Sequence, residues 1–452
     1  MSDRDPRYGS DLRRRVLRLA LATLAFLALA TEASPSGFGD LLRQGPLTGS
    51  WSGNRPELEE RGLTFEAFYT FEVLGNLSGG VHRKTETLGN LDLQLTAELE
   101  PLVGWSGGRV FFYGLGNHGG RPSENVGDLQ MVSNIEAPDT WKLYEAWFEQ
   151  EFLRQRLSMR IGLYDFNSEF DVIESAGVFL NGSHGIGAEL GGSGRNGPSI
   201  FPTTSLSARL HLQPTKRTFV RLVVADGVPG DLDDPGGTEI HFGRDDGVFL
   251  AGEIGVFNSW SKALAPRDRR PREDGTPTRP SPEPSGKLAL GAWGYTGRFD
   301  DLLRTDGSGN PRKRSGSFGV YLLAEQRVHF EPEDPIQGLS LYARMGIADP
   351  RTTTVDGYLG AGAVYRGVFP GSRNDRLGLA VAAAHLGSDF RRARRRMGTS
   401  SDAWEITLEW TYRVELTPWL AIQPDAQYVI NPGGLSDLED AFVLGMRLIV
   451  SL

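Results

Sequence analysis

The chain has 452 residues, a formal net charge of -9 and 39% hydrophobic residues, with a mean hydropathy of -0.31. That is too polar for a helical membrane protein, and the lack of a basic excess argues against nucleic acid as a partner. No cysteine is present, which removes disulfide frameworks, thiolate metal sites and cysteine nucleophiles.

At the N-terminus, Arg13, Arg14, Arg15 and Arg18 form a basic region, and Leu17 to Ala30 is an apolar run. That run is too short to span a bilayer, and Ala28-Leu29-Ala30 forms a small-x-small cleavage pattern, with Ala33 a second end. Residues 1–33 therefore read as a secretory signal peptide. Residues 34–62 follow as a periplasmic segment with a short helix at 54–62. Pro56 stands in its first turn and Gly62 just past its end, as helix boundaries prefer.

From residue 63 the period changes from 3.6 to 2. Leu63, Phe65, Ala67, Tyr69, Phe71 and Val73 alternate with Thr64, Glu66, Phe68, Thr70 and Glu72. Leu91, Leu93, Leu95, Ala97 and Leu99 alternate with Asp92, Gln94, Thr96 and Glu98. Such runs recur in about sixteen segments: 63–73, 91–100, 109–116, 141–150, 157–165, 205–213, 218–226, 247–257, 287–299, 317–328, 338–347, 357–367, 376–386, 403–415, 419–430 and 441–452. Strands of about 9–11 residues match a tilted membrane crossing, whereas globular strands average about 5–6. The fold class is thus all-β: a transmembrane antiparallel barrel over 63–452, with a short helix before the first strand.

The connections support the same reading. Odd gaps (75–90, 117–140, 166–204 and 227–246) are long, as extracellular loops are; even gaps (101–108, 151–156, 214–217 and 416–418) are short, as periplasmic turns are. The stretch 258–286 breaks the rule. It is even but long, rich in Pro, Arg and Asp, and reads as a flexible insertion. The last strand places Phe442, Leu444, Met446, Leu448, Val450 and Leu452 on one face.

In a large barrel the function is a constriction in a water-filled lumen. The candidate constriction loop is 166–204, which carries Glu169, Asp171, Glu174, Asn181, His184, Glu189 and Arg195 among many glycines. With it, the candidate pore-lining residues are Glu66, Asp92, Glu98, Arg160, Arg209, Arg221, Arg344, Glu409, Arg413 and Arg447. The same inward parity includes Glu72, Glu253, Glu405 and Asp425. Mixed arginines and carboxylates suit a neutral solute that both donates and accepts hydrogen bonds. Tyr164, Tyr342 and Trp147 offer rings for sugar faces. Trp51, Trp404, Trp410, Trp419 and Tyr428 fit interfacial girdles. The Arg391–Arg396 cluster falls in an extracellular gap, where lipopolysaccharide phosphates are its expected partners.

Several longer runs carry a resemblance: LTGSWSGNRPELEERGLTF from Leu47, NVGDLQMVSNIEAPDTWKLYEAWFEQ from Asn125 to Gln150, SAGVFLNGSHG at 175–185, GYTGRFDDL at 294–302, VFPGSRNDRLGLAVA at 368–382 and LTPWLAIQPDAQYVINPGG at 416–434. These resemble the carbohydrate-selective porins of the OprB family over roughly residues 46–452. The resemblance implies a sixteen-stranded outer-membrane barrel through which glucose-type mono- or oligosaccharides diffuse passively, with no cofactor. Leu452, the 264–286 insertion and the Arg391–Arg396 cluster depart from it.

A general or anion-preferring porin is the alternative, and a barrel enzyme the second. Against an enzyme, the seven histidines form no HExxH spacing, no GxSxG elbow stands at a strand-to-helix turn, and the Gly-rich run at 187–194 lacks a Lys-Ser/Thr ending. The outward faces read alike whether they meet outer-membrane lipid or another protomer, so trimer and monomer both stay open.

Overall fold

Alternating side chains need a sheet with two different faces, and a sheet immersed in lipid must leave no edge unpaired. The computed structural model meets both demands. It describes residues 45–258, 286–369 and 374–452, apart from residues 232, 233, 235, 239, 241, 242, 244, 333 and 335. The signal-peptide reading of 1–33 and nearly all of the 258–286 insertion lie outside the described residues.

Strands β1 (Leu63–Ser78), β2 (Thr85–Glu98), β3 (Gly108–Gly119) and β4 (Thr140–Phe152) open the barrel. They are followed by β5 (Leu157–Tyr164), β6 (Ser205–Thr215), β7 (Thr218–Asp226) and β8 (Val248–Phe257). The second half comprises β9 (Gly286–Thr305), β10 (Pro311–Arg327), β11 (Gly338–Ala348), β12 (Val355–Arg366), β13 (Arg376–Leu386), β14 (Trp404–Thr417), β15 (Leu420–Ile430) and β16 (Ala441–Ser451). Each strand pairs antiparallel with its sequence neighbours, and β1 pairs with β16, so the sixteen strands close. Closure gives the backbone its hydrogen bonds within the wall.

Outward positions carry the apolar set. Ile161, Leu222, Ile254, Leu290, Ile347 and Leu379 are all exposed and point away from the lumen. The C-terminal face behaves the same way, with Phe442, Leu444 and Met446 exposed. Before the barrel, a helix over Asn54–Glu60 ends at Gly62, whose φ of +93° suits glycine alone. Arg55 ties it to β1 by donating from Nη2 to the Phe65 carbonyl at 2.9 Å.

Three strand boundaries differ from the sequence reading. The stretch 75–90 is mostly strand, because β1 runs to Ser78 and β2 starts at Thr85. The inward positions there, Leu74 and Leu88, are apolar and buried, which hid the alternation. Leu99 belongs to a short helix, Leu99–Val103, and not to β2. β9 and β10 run 20 and 17 residues, longer than the ~9–11 residues a crossing needs, so their hairpin projects beyond the membrane.

Two long connections leave the same rim. Loop L2 spans 120–139 and loop L3 spans 165–204; both turn into the barrel. L3 builds a core there: Phe166, Phe170, Phe179 and Leu190 pack against Phe219, Phe249, Trp293 and Tyr342 of the wall. L2 builds a second: Val126 and Val132 pack with Leu74, Leu88, Val429 and Val443. The chain's own loops thus pack inside the lumen.

Candidate channel constriction

A loop inside a polar lumen must satisfy its backbone groups, and the wall supplies the partners. The inward carboxylates of the wall accept from loop N–H groups. Glu253 accepts from Asp171 N at 3.0 Å, Glu325 from Ser175 N at 2.7 Å, and Glu409 from Leu180 N at 2.6 Å and Asn181 N at 3.1 Å. Glu405 does the same for L2, accepting from Leu129 N at 2.9 Å and Gln130 N at 3.1 Å.

The arginines serve the loop carbonyls. Arg344 donates to the carbonyls of Asp171 at 2.5 Å, Ser183 at 3.0 Å, His184 at 3.1 Å and Gly185 at 3.1 Å. Its Nε also lies 3.2 Å from Asp171 Oδ1. Arg221 donates to the Glu169 carbonyl and pairs with Glu253 at 3.3 Å. Arg447 reaches Asn134 of L2 and pairs with Glu72, which in turn accepts from Ser133 Oγ at 2.6 Å. Near the turn end, Lys287 donates to the Val172 carbonyl at 2.9 Å and Gln423 to the Val178 carbonyl at 2.5 Å.

Close approach of L3 depends on small wall residues. A Cβ at Gly346 would meet the Glu189 carboxyl, and one at Gly378 would lie 2.7 Å from the Phe179 ring.

The twelve candidate residues divide by exposure. Asp171, Arg209, Arg221, Arg344, Glu409 and Arg447 are buried, at 0–7%, and are held in loop and wall bonds. Glu66, Asp92, Glu98, Arg160, Glu169 and Arg413 keep part of their surface open. The reading of the first six as a solute-facing ladder is corrected: Asp171, Arg221, Arg344, Glu409 and Arg447 anchor loops, and Arg209 is buried between Glu149 of the wall and Glu169 of L3. An empty sixteen-strand lumen is wide enough to admit the loops, and once they enter, these charges have nearer partners.

Along β2 to β6, charges pair within the wall and with Glu169 of L3. Tyr113 donates to Asp92 at 2.6 Å and Arg109 to Glu98 at 2.7 Å. Glu149, Glu169, Arg160 and Arg209 form a quartet. Arg209 Nη2 donates to Glu149 Oε1 and Glu169 Oε1, both at 2.8 Å, and Arg160 Nη2 to Glu149 Oε2 at 3.1 Å. Burial opposes ionisation of Glu169, but Arg209, Arg160 and Arg221 outweigh it and hold its carboxyl well below the usual range.

The rings are covered too. The Arg160 guanidinium sits 3.8 Å from the Trp147 ring centroid, and Phe111 stacks on Trp147 at 4.9 Å. Tyr164 donates to Glu169 at 2.9 Å, and Tyr342 hydrogen-bonds His184 Nδ1 at 3.0 Å. Tyr164 and Tyr342 thus pack into L3 and are not open sugar platforms.

Sequence reasoning missed L2 as an inward loop, with Gln427, which donates to its Val132 carbonyl at 2.8 Å; it also missed Glu325 and Gln423 as partners of L3 and Glu149 as the partner of Arg160 and Arg209. One signal was present: Val126, Val132 and Ile135 are too apolar for a surface loop. The Arg391–Arg396 cluster forms a helix, Ser388–Arg396. Arg391, Arg394 and Arg396 pin it by donating to the carbonyls of Leu386, Gly433 and Leu303.

A closed sixteen-strand barrel narrowed by its own loops is a channel architecture, and a family comparison decides which. The model of the carbohydrate-selective porin, OprB family, matches residues 82–452. The chain belongs to that family. Porin B of Pseudomonas aeruginosa is 24% identical over 431 residues, covering 89% of this chain and 90% of that protein. Putative porin QuiX of Acinetobacter baylyi is 21% identical over 430 residues, covering 89% and 92%.

Among solved structures, Pseudomonas putida OprB at high pH superposes with a TM-score of 0.76 at 23% identity, covering 91% of this chain and 99% of that one. The outer membrane channel DcaP of Acinetobacter baumannii gives 0.51 at 10% identity, covering 86% and 97%; these two likenesses speak to fold alone. The OprB-family chain is an outer-membrane porin, crossing by strands. No helix among its described residues is long and apolar enough to cross. Its relatives are channels, in keeping with a transport role and not a catalytic one. In an outer-membrane barrel the rim with the long loops is the extracellular one, so L2 and L3 leave that rim.

Proposed function

We propose that this porin passes glucose-type monosaccharides and short oligosaccharides by passive diffusion, through an eyelet between the β2–β5 wall and loops L2 and L3. The observation that carries this reading is the division of the lumen. Loops fixed through buried charges enter the lumen, and Glu66 of β1, Asp92 and Glu98 of β2, Arg160 of β5 and Glu169 of L3 keep part of their surface open. Sugar hydroxyls both donate and accept, so a surface holding carboxylates beside a guanidinium matches them without favouring an ion of either sign. No energy source is required, because the path is a wet gap.

The outward apolar band takes lipid. Exposed Arg392, Arg395 and Arg396 suit lipopolysaccharide phosphates, which guanidinium groups bind in bidentate fashion.

Liposome swelling tests the reading. Monosaccharides should enter faster than disaccharides and faster than amino acids of monosaccharide size. Equal rates for sugars and size-matched amino acids would reduce the protein to a general porin and sink the selectivity.

A further inference from the structure

The inner face of β1 carries an aromatic ring outside both loop cores. Glu72 accepts from Ser133 of L2, and Leu74 packs in the L2 core, so the even-numbered side chains of β1 face the lumen. No register shift interrupts the pairing of β1 with β2 between Leu63 and Gly75. Phe68 therefore shares the inward face with Glu66, Thr70 and Glu72. It stands about 13 Å along the strand from Glu72, on the periplasmic side of the bond to L2. Part of its surface is open.

An apolar side chain in a wet lumen costs free energy unless something covers it. L2 covers Leu74 and Leu88, and L3 covers Phe219, Phe249 and Trp293. Phe68 belongs to neither core. The inward rings of β3 and β4 are engaged as well: Phe111 stacks on Trp147, and Trp147 lies under the Arg160 guanidinium.

The surroundings of Phe68 are polar. Asp92 stands directly opposite on β2, and Ser451 on β16. Directly opposite residues have Cβ atoms about 4.5–5.5 Å apart, so the Asp92 carboxyl lies beside the ring. Tyr113 of β3 donates to that carboxyl at 2.6 Å and fixes it there. The next inward pair is Glu66 with Gln94, and both are part-exposed. An open ring thus adjoins two carboxylates and an amide on one patch of wall.

A pyranose matches that patch. One face of the sugar ring is a sheet of polarised C–H groups, which the negative face of an aromatic ring attracts. Its rim is hydroxyls, which donate to carboxylates and both donate to and accept from an amide. A simple ion has no apolar face, and an open-chain polyol has no flat one.

We propose that Phe68, flanked by Asp92, Glu66 and Gln94, is a stacking subsite for the apolar face of a pyranose, on the periplasmic side of the loops. This rests on the channel reading above and adds a second sorting step to it. L2 and L3 sort by size, and Phe68 sorts by ring shape.

The test is block of single-channel current by glucose and by mannitol, an open-chain polyol with similar hydroxyls and no ring face. Glucose entry into liposomes is read in parallel. Glucose should block the wild type at lower concentration than mannitol does. Phe68→Leu keeps apolar bulk and removes the π face. It should raise the blocking concentration of glucose about two- to tenfold, the range of an aromatic face contact, and leave that of mannitol unchanged. Phe68→Tyr should keep the wild-type difference. Glucose block unchanged in Phe68→Leu overturns the subsite. An equal loss for both solutes also overturns it, since that marks a change of pore width, and so does a loss in Phe68→Tyr as large as in Phe68→Leu. A wild type that passes glucose but treats the two solutes alike overturns the subsite and leaves the channel standing. Failure of the wild type to admit glucose into liposomes overturns the channel reading itself, and is distinguishable because swelling is measured apart from block.

Discussion

Replacing Arg344 by alanine should release L3 while leaving the barrel closed. This guanidinium makes four hydrogen bonds to loop carbonyls and one ion pair to Asp171, all buried. Its strand pairs through backbone groups that the substitution does not touch. Breaking a buried pair by removing one partner costs about 3–5 kcal/mol, because the other charge stays buried and alone. That raises the undocked population of L3 about a hundred- to several thousand-fold. The four bonds are not summed separately, because they share one side chain and are not additive. Single-channel recording should show larger, flickering conductance, and liposome swelling should lose its preference for monosaccharides over disaccharides. Heat-modifiable migration on gels should remain that of a folded barrel. A variant with wild-type conductance and discrimination would refute the anchoring role.

Gly346→Ala should act in the same direction from the opposite side, since its Cβ meets Glu189. Overpacking of this sort costs about 1–3 kcal/mol and should appear as added current noise with an unchanged barrel. L3 should also respond to pH. Burial, then the Asp171 charge, pushes Glu189 up to about 8. A carboxyl raised on folding stabilises fully below its unfolded pKa, and that contribution is lost as pH rises through about 8. Gating noise should therefore grow as pH rises from about 4.5 to about 8, and level off beyond it, in the wild type and not in Glu189→Gln; identical profiles would remove Glu189 from the lock. His184 works at the acid end. Burial and Arg344 push it down to about 3, so L3 docking should weaken as pH falls from 6.5 towards that value, and His184→Gln should flatten the response. Finally, Arg160→Gln should shift the reversal potential in a salt gradient towards cations and uncover the Trp147 face; an unmoved potential would mean Arg160 does not face the ion path.

The wall was legible because lipid demands a strict rule. Each outward position must be apolar, so period 2 runs for whole strands, and the sixteen segments found by it are the sixteen strands. The rule failed where the inner face is not polar. At Leu74 and Leu88 both faces are apolar because L2 packs inside, and the β1–β2 connection looked longer than it is. It also failed at a bulge. Trp141 and Trp147 share parity in sequence, yet Trp141 is 71% exposed and Trp147 is 9% exposed. The register shift at Tyr113/Gly114 puts an extra residue into β4 between them.

The lumen was less legible for another reason. Parity places Arg344 and Glu409 inward but carries no information on what they meet there. Their partners are backbone groups from loops about 160 and 230 residues away in sequence, and no local pattern encodes such pairings.

The central claim is a sugar-selective channel narrowed by loops inside the barrel. Titrating glucose against single-channel current through the purified protein in a planar bilayer tests it most directly. The account predicts stepwise conductance that glucose blocks at millimolar levels and that a size-matched non-sugar does not. Conductance indifferent to glucose would contradict the sugar site, and no conductance at all would contradict the channel.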